Sequence, residues 1–414
     1  MAGRGYLLVL LALLAAFNQL DRQLTAILLE PIRADFALSD IQLGLLSGIA
    51  FAALYAGLSI PAAIWAVRHN RRNLVAVAAT VWGAMTLLSG LAQSFVQLLI
   101  GRAGIGLGEA GAMPASHAMI SDLYEPHERA AAMASWSAGI NGGIFLAFLV
   151  GGLVGHQFGW RIAFIGSGFA TLMLGLLVRL TLAEPVRTPD SGGRDLRAAP
   201  SLGLMRMTLG QLWGDPALRH NMLGAILTAT FGYGALAWVP SFLVRVHQLN
   251  VAQAGAFLAV VIGIGGGTVA VFGGRLADYL HRRDMRWPLV FIGVFFIATK
   301  PLSVVFYLTS STPLALAAFI VPGMVGTLYV GPTLAMLHNR ITASLRPTAS
   351  AVFLMLVNLI GLSLGPLLVG IMSEWMFAAS GDNALAYALV AMQVIGVWGA
   401  AHLIIAGRNL GPMG

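Results

Sequence analysis

Two charged residues interrupt an apolar segment that runs from about residue 97 to 121. Arg102 and Glu109 are seven residues apart, nearly two helical turns, so both point to one face of a helix. Glycines around them let other helix backbones approach closely. An ionisable pair at membrane depth is costly, and by default it marks a pathway for an ion, a proton or a substrate.

A second polar stripe lies on the first apolar segment, at Asn18, Asp21, Arg22 and Thr25. Spacings of three and four place these residues on one helix face, which must look into protein or water. Asp21 and Arg102 each lie eight residues inside the outer end of their helices, roughly 12 Å deep at 1.5 Å per residue. This matched depth predicts a direct or water-bridged Asp21–Arg102 pair in at least one state.

These charged residues have two interpretations. Carboxylates that alternate between burial and an arginine partner can bind and release a proton, which suits a proton-coupled carrier. The residues predicted to couple protons are Asp21, Arg22, Arg102 and Glu109. The alternative is a static buried salt bridge that fixes the packing of two helices.

The composition indicates a membrane protein. Of 414 residues, 58% are hydrophobic and 10% are charged, whereas a soluble domain would have about 25% charged residues. Roughly a dozen apolar runs are long enough to cross a bilayer as helices. Cysteine is absent, which excludes disulfides and thiolate sites. No phosphate-binding Walker A motif or nucleophile–base pair occurs, so we expect no enzyme activity, cofactor or metal.

The placement of positive charge predicts the orientation. The net charge is +8, and most of the basic residues fall on one side of the predicted topology. This positive-inside bias places both termini in the cytoplasm and argues against a nucleic-acid partner. We therefore expect a multi-pass protein of the inner (plasma) membrane, a monomer, whose partners are the lipid bilayer, a small-molecule amphiphile and protons.

The predicted fold is all-α, with twelve transmembrane helices in two pseudo-symmetric six-helix bundles. Helices are predicted near 6–29, 41–67, 73–93, 97–121, 130–154, 161–182, 220–246, 253–277, 288–309, 314–338, 347–372 and 385–406. The corresponding domains are an N-terminal bundle (1–183), a cytoplasmic linker (184–219) and a C-terminal bundle (220–414). Residues 202–213 have helical apolar spacing and fit either a helix on the lipid surface or a loosely packed linker helix.

The two halves repeat in sequence. A shift of 211 residues takes Gln42 to Gln253, and the same shift takes Arg71 to Arg282. Parallel repeats of this kind place a substrate site at their interface, near the middle of the membrane.

Twelve helices in two sets of six, with short basic loops after helices 2 and 8, resemble the major facilitator superfamily. The second half carries that superfamily's loop signature as GRLADYLHRRD, with Asp278 and Arg282. The first half departs from it, with Ala63 and Val67 where the pattern has Gly and Asp. The resemblance implies alternating access, and we expect gating residues at Arg71, Arg72, Asp122, Arg129, Asp278 and Arg282.

A finer resemblance is to the spinster subgroup. It rests on FNQLDRQL (17–24), RAGIGLGEAGAMPASH (102–117), DLYEPHERA (122–130) and VNLIGLSLGPLLVG (357–370). Spinster relatives carry sphingolipids and lysophospholipids, and bacterial members are similar to proton-coupled carriers. The resemblance therefore implies a proton-coupled transporter of an amphiphilic, lipid-like substrate.

The second half lacks charges at the corresponding positions and offers mainly aromatic side chains. The predicted substrate-binding residues are Asn18, Arg22, Thr25, Glu109, Phe231, Tyr233, Thr327, Tyr329 and Asn358. The alternatives are a drug or organic-anion carrier of the same fold and, in another class, a non-transporting membrane sensor or scaffold. Lys300, midway along predicted helix 9, has no assigned role beyond extending along its helix toward water.

Overall fold

A computed structural model describes residues 3–125, 127–185 and 202–410, and this part of the chain is helical without strands. We number the helices that correspond to the predicted spans α1 to α12. In the first half they are α1 (Arg4–Ile27), α2 (Asp40–Ser47, continued as Ile49–Arg68), α3 (Arg71–Gly90), α4 (Phe95–Leu123), α5 (Arg129–Leu146, a π-helical turn Ala147–Gly151 and Gly152–Phe158) and α6 (Trp160–Thr181). A short helix, Leu29–Phe36, follows α1.

The second half repeats this arrangement. It contains α7 (Pro216–Arg245), α8 (Val251–Leu258, a π-helical turn Ala259–Gly265 and Gly266–Arg283), α9 (Trp287–Leu308), α10 (Thr312–Met324 and Val330–Arg340), α11 (Arg346–Ile371) and α12 (Ala384–Arg408). Short 3-10 turns, Ala343–Leu345 and Ala378–Asn383, precede α11 and α12, and a π-helical turn, Met372–Met376, ends α11. The linker helix is Leu202–Gly214.

The repeat detected in the sequence has a structural cause at the starts of α2 and α8. Ser39 accepts a hydrogen bond from the backbone of Gln42, whose side chain accepts one from the Ser39 backbone. Asn250 and Gln253 form the same reciprocal pair at the start of α8. Such capping boxes satisfy two backbone donors at a helix start, so the Gln42–Gln253 match reflects equivalent helix ends.

The expected all-α membrane fold is confirmed. Ten helical segments in the described part of the chain are long and apolar enough to cross a membrane. The spans outside these ten are α4, which contains Arg102, Glu109 and Asp122, and α10, which is divided into two pieces.

The prediction of one continuous helix over 314–338 is wrong. α10 stops at Met324 and restarts at Val330, and the connection contains turns in which Leu328 N donates to Val325 O (3.0 Å) and Val330 N donates to Thr327 O (3.2 Å). Gly326 favours the end of the first piece. Pro332 lacks an N–H and lies in the first turn of the second piece, where no helical hydrogen bond is lost.

The chain forms two compact units. Unit 1 comprises 1–38, 49–199 and 250–263, and unit 2 comprises 39–48, 200–249 and 264–414, counted over the full chain. Each unit therefore contains most of one predicted half and the opening of α2 or α8 from the other. Within unit 1, a Cβ on Gly255 would lie 2.2 Å from the carbonyl oxygen of Phe148, so glycine permits this close approach of α8 to α5. The division at 183 and 220 stays a prediction.

The linker helix belongs to unit 2 and packs within it through one face. Leu212 is fully buried with residues of α7 and α11, and Gln211 donates to the Thr342 hydroxyl (3.0 Å). Met207 and Trp213 are exposed. Residues 186–201 of the predicted linker lie outside the described residues.

Candidate transport site

Asp21 is held by two hydroxyl groups inside unit 1. Its side chain is fully buried on α1, and its Oδ2 accepts a hydrogen bond from Thr86 Oγ1 of α3 (2.9 Å). Ser167 of α6 donates to Oδ1. A hydroxyl can donate or accept, so these partners can serve the carboxylate in its charged and its protonated form.

Arg22, the next residue on α1, forms an ion pair with Glu109 of α4. Arg22 Nε donates to Glu109 Oε2 at 2.9 Å. The Glu109 side chain is fully buried, whereas 13% of the Arg22 side chain is exposed. Glu109 Oε1 has no hydrogen-bond partner among the residues that the structure describes, so only one oxygen of this carboxylate is engaged.

Two aromatic rings of α2 hold the Arg22 guanidinium. Its Cζ lies 4.7 Å from the ring centre of Phe51 and 4.4 Å from that of Tyr55. Cation–π contacts at these distances stabilise an arginine without occupying the N–H groups that bind anions. Arg22 is therefore positioned independently of its carboxylate partner.

Arg102 completes the charged cluster. Its side chain is buried, its Cζ lies 5.4 Å from the Phe51 ring, and its Nη1 approaches the backbone carbonyl of Asp21 at 3.5 Å. No direct hydrogen bond or ion pair joins the Arg102 and Asp21 side chains within the described part of unit 1. The structure thus brings the four predicted residues together, but the ion pair is Arg22–Glu109.

The other polar residues of the α1 stripe are also buried. Asn18 is 5% exposed and Thr25 is 1% exposed. Asn18 Oδ1 and Thr25 Oγ1 lack hydrogen-bond partners in the described structure. Buried polar atoms without a partner are uncommon, and these two lie on the predicted polar face of α1.

Unit 2 contains the remaining predicted substrate residues. The Tyr233 hydroxyl of α7 donates to Asn358 Oδ1 of α11 at 2.9 Å. Thr327 is exposed in the break of α10, whereas Tyr329 is buried and its ring centre lies 6.5 Å from that of Phe296. Phe231 lies beneath the Lys300 ammonium. Tyr329 is thus part of the packed core, and the exposed residues of the break are Gly326 and Thr327.

The predicted gating residues of the first half form a network around Arg71. Arg71 pairs with Asp122 at the end of α4 and, through Nε, with Glu184 after α6 (2.9 Å). The backbone N–H of Arg72 donates to the other Glu184 oxygen (2.8 Å). Arg129 Nε donates to the carbonyl of Tyr124 (3.0 Å). These contacts tie α3, α4 and the segment after α6 together within unit 1.

The corresponding residues of the second half are arranged differently. Asp278 and Arg282 are exposed on α8. Asp278 lines a cavity of about 230 Å³ with His281 and Asn339. Arg71 is buried within its ion pairs, whereas no ion pair involves Asp278 in the described part of unit 2. The side chains of Ala63 and Val67 lie outside those that the structure describes.

Sequence reasoning missed the residues that support the charged cluster. Thr86 and Ser167 are single hydroxyl residues on apolar helices, and Phe51 and Tyr55 resemble ordinary packing residues. Glu184 lay in a segment predicted only as linker. A polar residue on an otherwise apolar helix is a weak signal, because Ser and Thr often bond their own helix backbone instead.

Comparisons with known proteins agree with this architecture. The family model described as Major Facilitator Superfamily matches residues 11–366. An MFS-type efflux pump of Mycolicibacterium smegmatis is 33% identical over 93% of this chain and 89% of its own length. A probable galactarate/D-glucarate transporter of Bacillus subtilis is 24% identical over 68% of this chain and 66% of its own.

A solved structure is also similar over nearly the whole chain. It is a bacterial homologue of the human lysosomal transporter Spinster in an inward-facing and unoccupied conformation. The TM-score is 0.86 and the identity 27%, over 98% of this chain and 97% of the other.

Proposed function

We propose that this chain is a proton-coupled secondary active transporter of an amphiphilic, lipid-like substrate of the sphingolipid or lysophospholipid type. The chain belongs to the major facilitator superfamily of membrane transporters. The observation that carries the proposal is the buried Arg22–Glu109 ion pair beside the buried Asp21 carboxylate. Ionisable groups within a membrane span are costly, and they commonly mark proton and substrate pathways.

The geometry suggests how a proton would act. While Glu109 is ionised, its Oε2 accepts the hydrogen bond that Arg22 Nε donates. Protonation removes the charge that holds the guanidinium, which the rings of Phe51 and Tyr55 continue to position. The Nε–H of Arg22 could then donate to an anionic group of the substrate in place of Glu109. The proton and an anionic substrate would therefore bind together.

The two units offer different surroundings for a substrate. In unit 1, Asn18, Arg22, Thr25 and Glu109 supply polar groups for a head group. In unit 2, Phe231, Tyr233, Thr327, Tyr329 and Asn358 supply mainly aromatic and uncharged polar surface. The similarity to the Spinster homologue agrees with the spinster resemblance of the sequence motifs, and that resemblance implies a lipid-like substrate. As in other superfamily members, we expect alternating access, with Arg71, Arg72, Asp122, Arg129, Asp278 and Arg282 as gating residues.

A second candidate function is transport of an organic anion without a long tail. The similarity to a sugar-acid transporter and the position of Arg22 favour it. Dependence of binding on alkyl chain length separates the two, because each methylene buried from water contributes ~0.8 kcal/mol. A sugar acid would need polar partners on all sides, and the unit 2 residues provide few.

The test of proton coupling uses purified protein in liposomes with an imposed pH gradient. Glu109→Gln should abolish gradient-driven accumulation of a lysophospholipid while retaining exchange of labelled for unlabelled substrate. Glu128→Gln is the matched control, since Glu128 is an exposed carboxylate paired with Arg4. Accumulation by Glu109→Gln equal to that of the wild type would refute the coupling role.

The same preparation tests whether the protein transports at all. Wild-type protein should move at least one lysophospholipid or sphingolipid-type amphiphile across the liposome membrane. If it binds lysolipids but moves neither them nor any organic anion, the result favours the sensor or scaffold interpretation. We further propose that the protein is a monomer of the inner membrane and that both termini lie in the cytoplasm. Protease access to either terminus in sealed vesicles would check the position of the termini.

A further inference from the structure

Lys300 is the single lysine of the chain and lies midway along α9. Its ammonium Nζ lies 3.5 Å from the ring centre of Phe231 on α7. No carboxylate forms an ion pair with Lys300, and no hydrogen bond to it is found, among the residues that the structure describes. A half-buried cation in a transmembrane helix thus lies on an aromatic ring, and no described carboxylate pairs with it.

A glycine of α12 makes this position possible. A Cβ on Gly396 would lie 2.6 Å from Lys300 Nζ and 3.1 Å from Phe231 Cγ. Any larger side chain there would therefore displace the amine from the ring. The lysine passes through the space left by Gly396 and reaches α7, so it is directed toward a neighbouring helix.

The preceding turn of α9 shows where the helix face that carries Lys300 packs. Phe296 lies four residues before Lys300, on the same helix face, and it is buried against Tyr329 of the α10 break. The Phe296–Lys300 face therefore packs toward the core of unit 2. This arrangement contradicts the expectation that Lys300 extends along its helix toward water.

A ring face compensates only part of the hydration that a buried ammonium loses. The ring also leaves the three N–H donors of the amine unused, because it meets the charge through its π face. In unit 1, Glu109 supplies the negative charge that compensates the partly desolvated Arg22 guanidinium. In the described part of unit 2 no acidic side chain supplies such a charge to Lys300, so the ammonium can take an anion that the described residues do not provide.

We propose that Lys300, positioned on Phe231, binds the acid group of the transported substrate, a carboxylate or phosphate monoester on an alkyl chain. This inference rests on the proposed transport function and narrows its substrate class to anionic amphiphiles. The compact ammonium binds such a group as a point charge with three donors. A zwitterionic or cationic head of the same chain length gains less from this site.

Because Lys300 is the single lysine, its reactivity can be followed in the wild-type protein. We would place the full chain in nanodiscs of phosphatidylcholine, which has no primary amine, and treat it with an amine-acylating reagent. Mass spectrometry then reports acylation at Lys300 and at the N-terminal amine, and the latter is an internal control. The probes are lysophosphatidic acid, lysophosphatidylcholine of the same chain length, and inorganic phosphate.

Saturating lysophosphatidic acid should slow acylation of Lys300 at least about tenfold and leave the N-terminal rate unchanged. Lysophosphatidylcholine and inorganic phosphate should have little effect. Equal acylation rates with and without bound lysophosphatidic acid would overturn the proposal. Protection by inorganic phosphate alone would also overturn it, since the site would then take free anions and not amphiphiles.

Variants provide an independent measurement. Lys300→Met should weaken binding of lysophosphatidic acid about tenfold or more and leave lysophosphatidylcholine unchanged. Lys300→Arg, which keeps the charge, should retain most of the preference for the anionic lipid. An unchanged preference in Lys300→Met, with wild-type transport intact, refutes the Lys300 assignment alone. If the wild type binds and moves neither lipid, the proposed function fails as well.

Discussion

The Arg22–Glu109 ion pair predicts that its two members are unequally costly to remove. Glu109 is fully buried, whereas Arg22 keeps 13% of its side chain exposed and lies against two rings. Arg22→Met preserves the apolar stem but leaves the carboxylate without its cation. Breaking a buried pair in this way costs about 3–5 kcal/mol.

The opposite substitution should be milder. In Glu109→Gln the amide oxygen can still accept a hydrogen bond from Arg22, and the guanidinium keeps its ring contacts and its partial exposure. The expected cost is about 1–3 kcal/mol, which is typical of weakening one hydrogen bond to a charged group. The double variant leaves no unpaired charge and should be more stable than Arg22→Met alone, with a coupling energy of about 0.5–3 kcal/mol.

The measurement is unfolding of the purified protein in detergent, followed by tryptophan fluorescence, for the wild type, both single variants and the double variant. The predicted order of stability places Arg22→Met lowest. If Glu109→Gln is instead the less stable single variant, or if the double variant shows no recovery, Glu109 is not a carboxylate balanced by Arg22. The proposed step, in which protonation of Glu109 lets Arg22 bind the substrate, would then lose its basis.

Two further predictions concern stability. A Cβ on Gly143 of α5 would lie 2.0 Å from the carbonyl oxygen of Ala16, whereas a Cβ on Gly142 would meet open space. In thermal unfolding, Gly143→Ala should therefore lose about 1–3 kcal/mol of stability, and Gly142→Ala should be neutral or gain up to about 1 kcal/mol. Equal changes in the two variants would contradict this packing. Burial lowers the pKa of His247, which lies between α7 and α8. Stability should therefore fall as the pH drops below about 6.5, because the unfolded chain takes up a proton first. His247→Gln should weaken this acid sensitivity in pH-dependent unfolding, and an unchanged profile would exclude His247 as its source.

The sequence predicted which residues form the site better than it predicted how these residues pair. Helical spacing predicts which side of α1 or α4 a residue occupies, so Asp21, Arg22, Arg102 and Glu109 could be expected to meet. It does not predict helix rotation to within one residue. Arg22, and not Asp21, forms the ion pair with α4 because the rings of α2 position Arg22, while hydroxyl groups of α3 and α6 hold Asp21.

The break in α10 was missed for a related reason. Its apolar residues continue through Val325–Tyr329, and hydropathy alone does not separate an apolar helix from an apolar turn. The combination of Gly326 with Pro332 carried the relevant signal. Other helices of this chain tolerate an internal proline, such as Pro114 in α4 and Pro366 in α11, so proline alone would not have identified the break.

Arg22 and Lys300 are held in the same way, and this similarity connects the two proposals. Arg22 lies on Phe51 and Tyr55, and Lys300 lies on Phe231. A ring fixes the position of a cation without using its N–H donors, so the anion can be exchanged while the cation stays in place. For Arg22 that anion is Glu109, and a proton can remove its charge. For Lys300 it must come from outside the described residues. Protonation of Glu109 would let Arg22 likewise exchange its anion, so an acid group on the substrate is the feature that would couple proton binding to transport.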